Sequence, residues 1–378
     1  MDSRQRHEAR RKRRDAKRAA NRAGRIKDCT IENVAGMDNL DKAARKAASG
    51  VRWKATTQRY MADETLRISE AGKTLLSGGD LHAGYTRFDV VERGKVRHIT
   101  AVRFPERVVQ KSLSQNALAP AIWPTLTPGC SANMKGRGTS YAVRRLKRQL
   151  VRHRMRHGAD GWILLVDFTD YFNSISHDAA KTLVSKSLDD PMVIDLACRQ
   201  IDTYGDRGLG LGSEPSQIIA VALPSPIDWM ALRNPDVLFA GRYMDDSYFA
   251  SLSKDSLWRL LDAIRLECAK LGLSVNERKT KIVKISHGFT FLKRKFSFTD
   301  SGRVLVRPCR STLTRQRRKL RSHARLVEKG RMTPDQARRA YMSMRGMLKH
   351  MDAHTALLAL DAQFRLLYKE KKGNKNDR

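Results

Sequence analysis

The chain has 378 residues and a formal net charge of +35, with 74 Lys and Arg residues against 39 Asp and Glu. Its length and its 41% hydrophobic residues allow a large core divided among two or three subdomains. The charge indicates a polyanionic partner, most simply a nucleic-acid backbone, and no apolar run is long enough to span a bilayer. Five cysteines without a CxxC pair favour reduced thiols in a cytosol over a zinc site or a disulfide framework.

The N-terminal third begins with a basic segment. Residues 1–27 carry twelve Lys and Arg residues and three acids, with almost no large apolar side chains. This composition predicts a disordered arm or a helix that forms on nucleic acid, with a solubilising tail as the alternative. Further on, "FDVVERGKVRHITAV" predicts a hairpin that turns at Arg93–Gly94, and "ERVVQKSLSQNALAPAI" predicts an amphipathic helix.

The middle of the chain reads as buried strands and one capped helix. Residues 162–168, "WILLVDF", form a continuous apolar run that ends in a carboxylate, which is typical of a buried strand. Ser176 is the predicted N-cap of a helix over "SHDAAKTLVSKSL". "DVLFAGRYMDDSYFAS" predicts a strand, a tight turn at the two aspartates and a second strand, and "GFTFLKRKFSF" predicts another hairpin.

The C-terminal segment changes character. Between Gly302 and His350 there are fifteen Lys and Arg residues and only two acids. Thr333 followed by Pro and, at the third helical position, Gln predicts a helix start. A stripe of apolar residues at helical spacing then predicts a compact helical domain with one basic side. The stripe consists of Leu357, Leu360, Phe364 and Leu367.

Three carboxylates at predicted strand ends suggest a metal site. Asp245 and Asp246 are adjacent in an apolar stretch, and Asp167 ends a buried strand 78 residues earlier. Adjacent carboxylates repel each other, and hard divalent cations relieve that repulsion and prefer oxygen ligands. The alternative is an ordinary solvated turn. In a chain rich in Arg, the trio predicts a site for two Mg²⁺ ions that performs phosphoryl transfer.

Five sequence blocks, in their order along the chain, resemble the motifs of a known protein family. "LLVDFTDYFNSISHD", "GLGLGSEPSQ", "GRYMDDSY", "LSVNERKTKIV" and "GFTFLKRKF" resemble motifs A, B, C and D and the primer grip of the reverse transcriptases. The block "RHITAVRFPERVVQKSL…NMKGRGTSYAVRRL" is similar to the family's fingers motifs, so the resemblance covers roughly residues 90–360. It implies an α+β fold of the right-hand polymerase type, with fingers, an antiparallel palm sheet and a helical thumb.

The resemblance also implies domain limits. Residues 1–40 would form a basic N-terminal arm and residues 41–160 the fingers. Residues 161–298 would form the palm, with a fingers insertion around 180–215, and residues 299–378 a basic helical thumb.

The same resemblance assigns catalytic roles. Asp167 and Asp245 would bind both Mg²⁺ ions, with Mn²⁺ as an alternative metal, and the Phe168 carbonyl would help on the nucleotide side. Asp246 would contribute less directly. Lys279 would be the general acid for the pyrophosphate leaving group, with the neighbouring Lys281 or a simple surface lysine as alternatives.

Other residues would contact the substrates. Phe172 would exclude the 2′-OH of a ribonucleotide, the alternative being an ordinary core aromatic. The remaining candidates fall at nucleotide, triphosphate or primer positions of the family. They are Gln217 and Gly212 for the nucleotide, Lys95, Arg97 and Arg107 for the triphosphate, and Tyr243 and Met244 near the primer terminus.

The form of motif B narrows the subfamily. "LGSEPSQ" is similar to the LGxxxSQ form of diversity-generating retroelements and of bacterial "unknown group" enzymes, within the retron and group II-like superfamily. We expect a bacterial or prophage cytoplasmic enzyme that uses dNTPs and copies a dedicated non-coding RNA into cDNA for anti-phage defence. The alternatives are mutagenic cDNA synthesis for diversification, or an idle RNA-binding protein on the same fold. An accessory protein or a homo-oligomer is compatible with this role, and no membrane is expected.

Overall fold

The computed structural model describes residues 3–79, 81, 83–92 and 94–369, with the backbone alone described for residues 3–7, 92, 95 and 369. Helices and strands are mixed along the chain, and the paired strands are antiparallel. The predicted α+β class is therefore confirmed.

The strands are β1 Tyr85–Glu92, β2 Lys95–Val102, β3 Trp162–Val166, β4 Phe239–Tyr243, β5 Asp246–Ser251, β6 Lys281–Lys284, β7 Phe289–Phe291, β8 Arg294–Phe298 and β9 Val304–Pro308. The helices are α1 Ser3–Ile26, α2 Ile31–Ala35, α3 Met37–Ala48, α4 Ala55–Ala62, α5 Glu64–Leu76, α6 Phe104–Leu113, α7 Ala119–Ile122, α8 Thr139–His157, α9 Tyr171–Ser174, α10 His177–Ser187, α11 Pro191–Asp202, α12 Glu214–Ala222, α13 Ser225–Arg233, α14 Lys254–Lys270, α15 Arg310–Glu328, α16 Pro334–Lys349 and α17 His354–Lys369.

A four-stranded antiparallel sheet in the order β4-β5-β3-β6 lies at the centre. The predicted buried strand is β3, and the predicted hairpin around the two aspartates is β4–β5. The turn itself differs from the prediction. Because Asp246 already pairs with Tyr243 at the start of β5, the turn consists of Met244 and Asp245 rather than of the two aspartates.

Both faces of this sheet are buried, which explains the continuous apolar sequence of β3. Leu164 and Val166 on one face pack into a large core formed with helices from the N-terminal half and with α10, α11, α12 and α14. Ile163 and Leu165 on the other face pack against α8 and the three-stranded sheet β7-β8-β9. The alternation of side chains along a strand thus divides the core into two layers.

The basic N-terminal segment is helical. Helix α1 is exposed along most of its described length, and Ile26 at its end belongs to the large core. Arg22 forms an ion pair with Asp189 at 2.6 Å. Helices α2 and α3 are packed in the same core, so the predicted boundary at residue 40 falls inside packed structure.

Most of the remaining sequence predictions of secondary structure agree with the fold. The strands β1 and β2 pair as predicted, while Arg93 of the predicted turn lies outside the described residues. The single helix predicted over residues 106–122 is α6, followed by a π-helical segment Ser114–Leu118 and α7.

The Ser176 cap of α10 and the hairpin β7–β8 are present. Thr333 and Gln336 form the predicted capping box of α16. The apolar stripe of α17 packs in a small core with α15 and α16. No helix in the described part of the chain is both long enough and apolar enough to cross a bilayer.

Candidate active site

Asp167 follows the last residue of β3 and is held in place by its backbone. Its carbonyl accepts a hydrogen bond from the N–H of Asn276 at 2.8 Å, and the N–H of Thr169 donates to Ser274 at 2.9 Å. The carboxylate accepts hydrogen bonds from Lys279 Nζ at 2.7 and 3.0 Å and from Asn276 Nδ2 at 3.2 Å. The segment before β6 therefore places the ammonium group of Lys279 beside the carboxylate at the end of β3.

Asp245 and Asp246 lie beside Asp167, because the pairing of Val166 with Ser247 brings the end of β3 to the β4–β5 turn. Both carboxyl groups are partly buried. Burial and the negative charge of Asp167 raise the pKa of Asp245, while Lys279 opposes the shift. Burial and the charges of Asp245 and Asp167 raise the pKa of Asp246 to about 7. The three carboxylates, which we call the acid centre, thus share one electrostatic environment.

The acid centre has the donor chemistry of a divalent metal site. Its carboxylate oxygens suit Mg²⁺ or Mn²⁺, and an added cation would offset the burial and the carboxylate repulsion that raise the pKa of Asp245 and Asp246. Among the residues that the structure describes, no three His, Cys, Asp or Glu side chains converge on one ion position, and Asp167 is engaged with Lys279. The residues fit the ions by charge and ligand type.

The Phe168 carbonyl also fits this arrangement. Phe168 pairs with Val275, and the hydrogen bonds that flank this pair use the carbonyl of Asp167 and the N–H of Thr169. Carbonyls alternate in direction along an extended strand. The Phe168 carbonyl therefore points away from Val275, towards the side on which β5 and the Met244–Asp245 turn lie.

Of the three basic residues predicted to hold the triphosphate, Arg97 is near enough for its charge to act on Asp245. Arg97 lies on β2, and its positive charge lowers the pKa of Asp245 against the larger effect of burial. Lys95 begins β2 opposite Glu92, and only its backbone is described. Arg107 lies on α6 and lines a separate cavity.

This cavity, of about 340 Å³, contains both predicted motif B residues as well as Arg107. Gln217 lies on α12, where its side-chain oxygen accepts a hydrogen bond from Asn133 Nδ2 at 3.0 Å. Gly212 precedes the helix with a φ of +100°, a conformation that favours glycine. Lys46, Lys111 and Glu214 are among the other lining residues, and Lys111 is paired with Glu214.

Phe172, Tyr243 and Met244, the three predicted substrate contacts outside the cavity and the basic residues, are partly buried. Phe172 packs against the large core beside Tyr171, and its carbonyl accepts a hydrogen bond from Leu209 N–H at 2.8 Å. Tyr243 contacts both cores. Met244 has a φ of +56°, which is unfavourable for a residue with a side chain. Lys281, the alternative to Lys279, is exposed in β6 opposite Leu165.

The sequence reasoning missed a buried ion pair behind the turn. Arg242, in β4, is 1% exposed, and Asp228, in α13, is 6% exposed. Their side chains are hydrogen-bonded at 2.7 and 3.0 Å. Burial alone lowers the pKa of Arg242, but the charge and hydrogen bonds of Asp228, together with nearby Cys130 and Tyr171, raise this pKa above its ordinary value. The signal in the sequence was an arginine inside the apolar run "VLFAGRY".

Residues 84–296 match the sequence family described as reverse transcriptase (RNA-dependent DNA polymerase). The match covers more than half of the chain and contains the acid centre. The chain belongs to the reverse transcriptase family. Its mixed helices and central antiparallel sheet have the architecture of a right-hand polymerase.

Alignments with solved structures include telomerases from two Candida species. Apo telomerase from Candida tropicalis, truncated from its C-terminal domain, aligns at 14% identity with a TM-score of 0.44, covering 57% of this chain and 53% of that chain. Telomerase from Candida albicans, in complex with a TWJ fragment of telomeric RNA, aligns at 11% identity with a TM-score of 0.46, covering 73% and 54%. A further apo telomerase from Candida tropicalis aligns at 14% identity with a TM-score of 0.45, covering 62% of this chain and 50% of that chain. The alignments span about half of each telomerase chain, and no curated protein matches.

The reverse transcriptase carries basic helices outside the acid centre. Helix α8 has seven Lys and Arg residues and no acid between Thr139 and His157. Its face opposite the core exposes Arg144, Arg148 and Arg152. Helices α1, α15 and α16 are the other strongly basic elements. Exposed arginines without acids on the same helix are suited to the phosphates of a nucleic acid.

Proposed function

We propose that this reverse transcriptase synthesises DNA on an RNA template, using dNTPs and Mg²⁺ bound at the acid centre. The observation that carries the proposal is the electrostatic coupling of Asp167, Asp245 and Asp246 at adjoining strand ends within the family's polymerase region. Decay to an idle RNA-binding protein would not be expected to preserve all three acids. Asp167, Asp245 and the Phe168 carbonyl would hold the metals, with Asp246 assisting. When bound, the ions stabilise the attacking and leaving oxygens of phosphoryl transfer.

The protein's own groups would position the nucleotide and supply the proton. Gln217 and Arg107 line one cavity, which suits contacts with the incoming nucleotide, and Arg97 would contact the phosphates nearer to Asp245. Lys279 would protonate the departing pyrophosphate. Its hydrogen bond to Asp167 raises the pKa of Lys279, which keeps the ammonium group protonated at neutral pH.

Phe172 would select deoxyribonucleotides. A ring at this position would collide with the 2′-OH of a ribonucleotide, and its partial burial beside Tyr171 would fix the ring in place. Residues 1–40 would form the N-terminal arm, 41–160 the fingers, 161–298 the palm and 299–378 the thumb. The arm packs in the large core from Ile26 onward.

A primer-extension assay on an RNA template tests the polymerase proposal. Wild-type protein should incorporate dNTPs in Mg²⁺ and reject NTPs, because Phe172 blocks the 2′-OH. The variant F172A should accept NTPs while retaining dNTP incorporation. Absence of RNA-templated synthesis by the wild-type protein would favour an idle RNA-binding protein. Unchanged selectivity in F172A would assign Phe172 to the core alone.

For the biological role, we propose a ribonucleoprotein that copies a dedicated non-coding RNA in anti-phage defence. The large excess of positive charge, spread over α1, α8 and the C-terminal helices, favours a large RNA held persistently. The SQ form of motif B favours the second candidate, mutagenic cDNA for diversification.

Sequencing of the RNA that co-purifies with the protein, and of its cDNA, separates the two roles. Faithful copies of one structured RNA, together with phage protection that requires Asp245, would support defence. Adenine-directed errors and a template repeat matching a nearby gene would support diversification. No specific RNA and equal use of any primed template would contradict both.

A further inference from the structure

Arg242 occupies a position where a charged side chain needs compensation. It lies in β4 of the β4–β5 hairpin and is 1% exposed, so its guanidinium is almost completely removed from solvent. Asp228, which lies 14 residues earlier on α13, supplies the opposite charge: Arg242 Nε donates to both Asp228 oxygens at 3.0 Å and Nη2 donates to Oδ2 at 2.7 Å. This pairing alone would satisfy the charge.

The guanidinium does more than pair with Asp228. Its Nη2 also donates to the carbonyl of Val221 at 2.7 Å, and its Nη1 donates to the carbonyl of Met244 at 3.2 Å. Val221 lies near the end of α12, the helix that carries Gln217. Met244 is the first residue of the turn that carries Asp245. One side chain thus joins the nucleotide side of the site to its metal side.

The backbone of Arg242 adds a third connection. Its N–H donates to the carbonyl of Gly129 at 3.1 Å, and its carbonyl accepts from Ser131 N–H at 3.0 Å. The same loop continues to Asn133, whose side chain donates to Gln217. The turn, the loop and α12 are therefore tied together at Arg242.

The turn needs such support, because Met244 has a φ of +56°, a conformation that residues with side chains rarely adopt. Backbone held in an unfavourable conformation persists when its surroundings over-determine it, and this occurs preferentially at functional sites. The hydrogen bond from Arg242 to the Met244 carbonyl acts directly on the strained residue.

We propose that Arg242 is a positioning residue, which together with Asp228 fixes the Met244–Asp245 turn relative to helix α12. The carboxylates and Gln217 then keep one spacing through the reaction. The inference rests on the proposed function, since it assigns a task to the same site. Arginine is required because a planar guanidinium can donate to a carboxylate and two carbonyls at once, whereas a lysine ammonium cannot span them.

The competing explanation is that the pair only stabilises the fold. Buried ion pairs can be replaced by apolar residues of similar volume with little loss of stability. The double variant Arg242→Met with Asp228→Leu should therefore fold while losing the bonds to Val221 and Met244. The variant Arg242→Lys keeps the charge beside Asp228 but loses the planar fork.

The test measures activity per folded protein together with Mn²⁺ binding by titration calorimetry. We expect kcat for primer extension to fall on the order of 10²-fold in both variants, because small misplacements of reacting groups cost about that much. Affinity for an RNA–DNA duplex should be unchanged, and Mn²⁺ should bind more weakly, since the turn has moved. Wild-type kcat and Mn²⁺ affinity in either folded variant would overturn the proposal.

Other outcomes also decide. If activity in all variants falls only in proportion to the folded fraction, the pair is structural and the proposal fails. If the wild-type protein makes no DNA, the proposed function fails, whereas the Mn²⁺ titration still reports whether Arg242 positions the turn.

Discussion

The acid centre and the basic helices of this reverse transcriptase differ in how their charged side chains are exposed to solvent and spaced. Asp245 and Asp246 are partly buried next to each other and to Asp167, so burial and repulsion raise the pKa of both. On α8, by contrast, Arg144, Arg148 and Arg152 stand in solvent on a helix without a single acid. The first region concentrates unfavourable charge in a small volume, and the second spreads charge over a surface.

The difference separates chemistry from binding. Clustered, partly buried carboxylates destabilise the folded protein, and they become functional when cations bind. Such clusters are typical of a catalytic site. Exposed arginines are individually weak, but many of them together bind a polyanion with a strong dependence on salt. Substitutions in the acid centre should therefore affect turnover and pH dependence, and substitutions on the basic helices should affect affinity and salt dependence.

Lys279 gives the largest expected effect short of removing an acid, because it is the lysine that the fold brings to Asp167. The variant Lys279→Ala should lower kcat on the order of 10²- to 10⁴-fold, as expected for loss of a general acid. Single-turnover incorporation of one dNTP measures this effect directly.

The matched control is Lys281→Ala, two residues further along and exposed in β6. It should leave the rate close to that of the wild type. Equal losses in the two variants would mean that Lys279 acts through the general positive field of this segment and not through proton transfer.

Asp246 tests the cost of the acid centre. Its pKa is raised to about 7 in the folded protein, from 3.8 as the ordinary value, so folding takes up a proton and the wild-type protein loses stability as pH rises between these values. In the absence of metal at pH 8, the variant Asp246→Asn should have a free energy of unfolding on the order of 2 kcal/mol higher than that of the wild type.

This increase in the free energy of unfolding should shrink as pH falls towards 4. It should also shrink when Mg²⁺ is added, because the cation relieves the same repulsion in the wild-type protein. Chemical denaturation at several pH values measures it. A gain that does not depend on pH, or a loss of stability at pH 8, would show that the acid centre is not electrostatically frustrated.

The basic helices are tested by removal of most of α1. Residues 1–20 carry nine Lys and Arg residues and three acids, and their removal leaves the ion pair of Arg22 with Asp189 and the core position of Ile26. RNA affinity should fall about tenfold, and the slope of log K against log salt should become shallower by roughly 0.7 to 0.9 for each phosphate that the shortened protein no longer neutralises.

Turnover on saturating substrate should remain unchanged in this truncated protein, since the acid centre is intact. An unchanged salt slope would show that α1 does not bind phosphates, and the comparison between the two regions would then rest on α8 and the C-terminal helices.

Much of the fold could be predicted from local signals. The apolar run of β3, the Ser176 cap and the capping box at Thr333 are each determined by residues a few positions apart, and the structure contains them all. The turn of the β4–β5 hairpin was placed one residue too late, because the register depends on the pairing of Tyr243 with Asp246 and not on turn propensity alone.

Long-range pairing explains what the sequence did not reveal. Asp228 and Arg242 look unremarkable apart, one on a helix and one in a strand, and become a buried pair only when α13 packs behind β4. Similarly, basic residues are so frequent that sequence could not distinguish Arg97, whose charge reaches Asp245, from its neighbours.

The most direct measurement of the central claim compares two aspartates with opposite expected roles in parallel assays of synthesis and binding. Asp245→Asn removes a metal ligand from the acid centre, whereas Asp170→Asn changes an exposed acid three residues after Asp167, where a φ of +41° suits asparagine. Asp245→Asn should reduce RNA-templated dNTP incorporation in Mg²⁺ by about 10³-fold or more while binding RNA like the wild type. Asp170→Asn should retain both activities. Substantial DNA synthesis by Asp245→Asn, or a parallel loss of RNA binding, would contradict the separation of chemistry from binding.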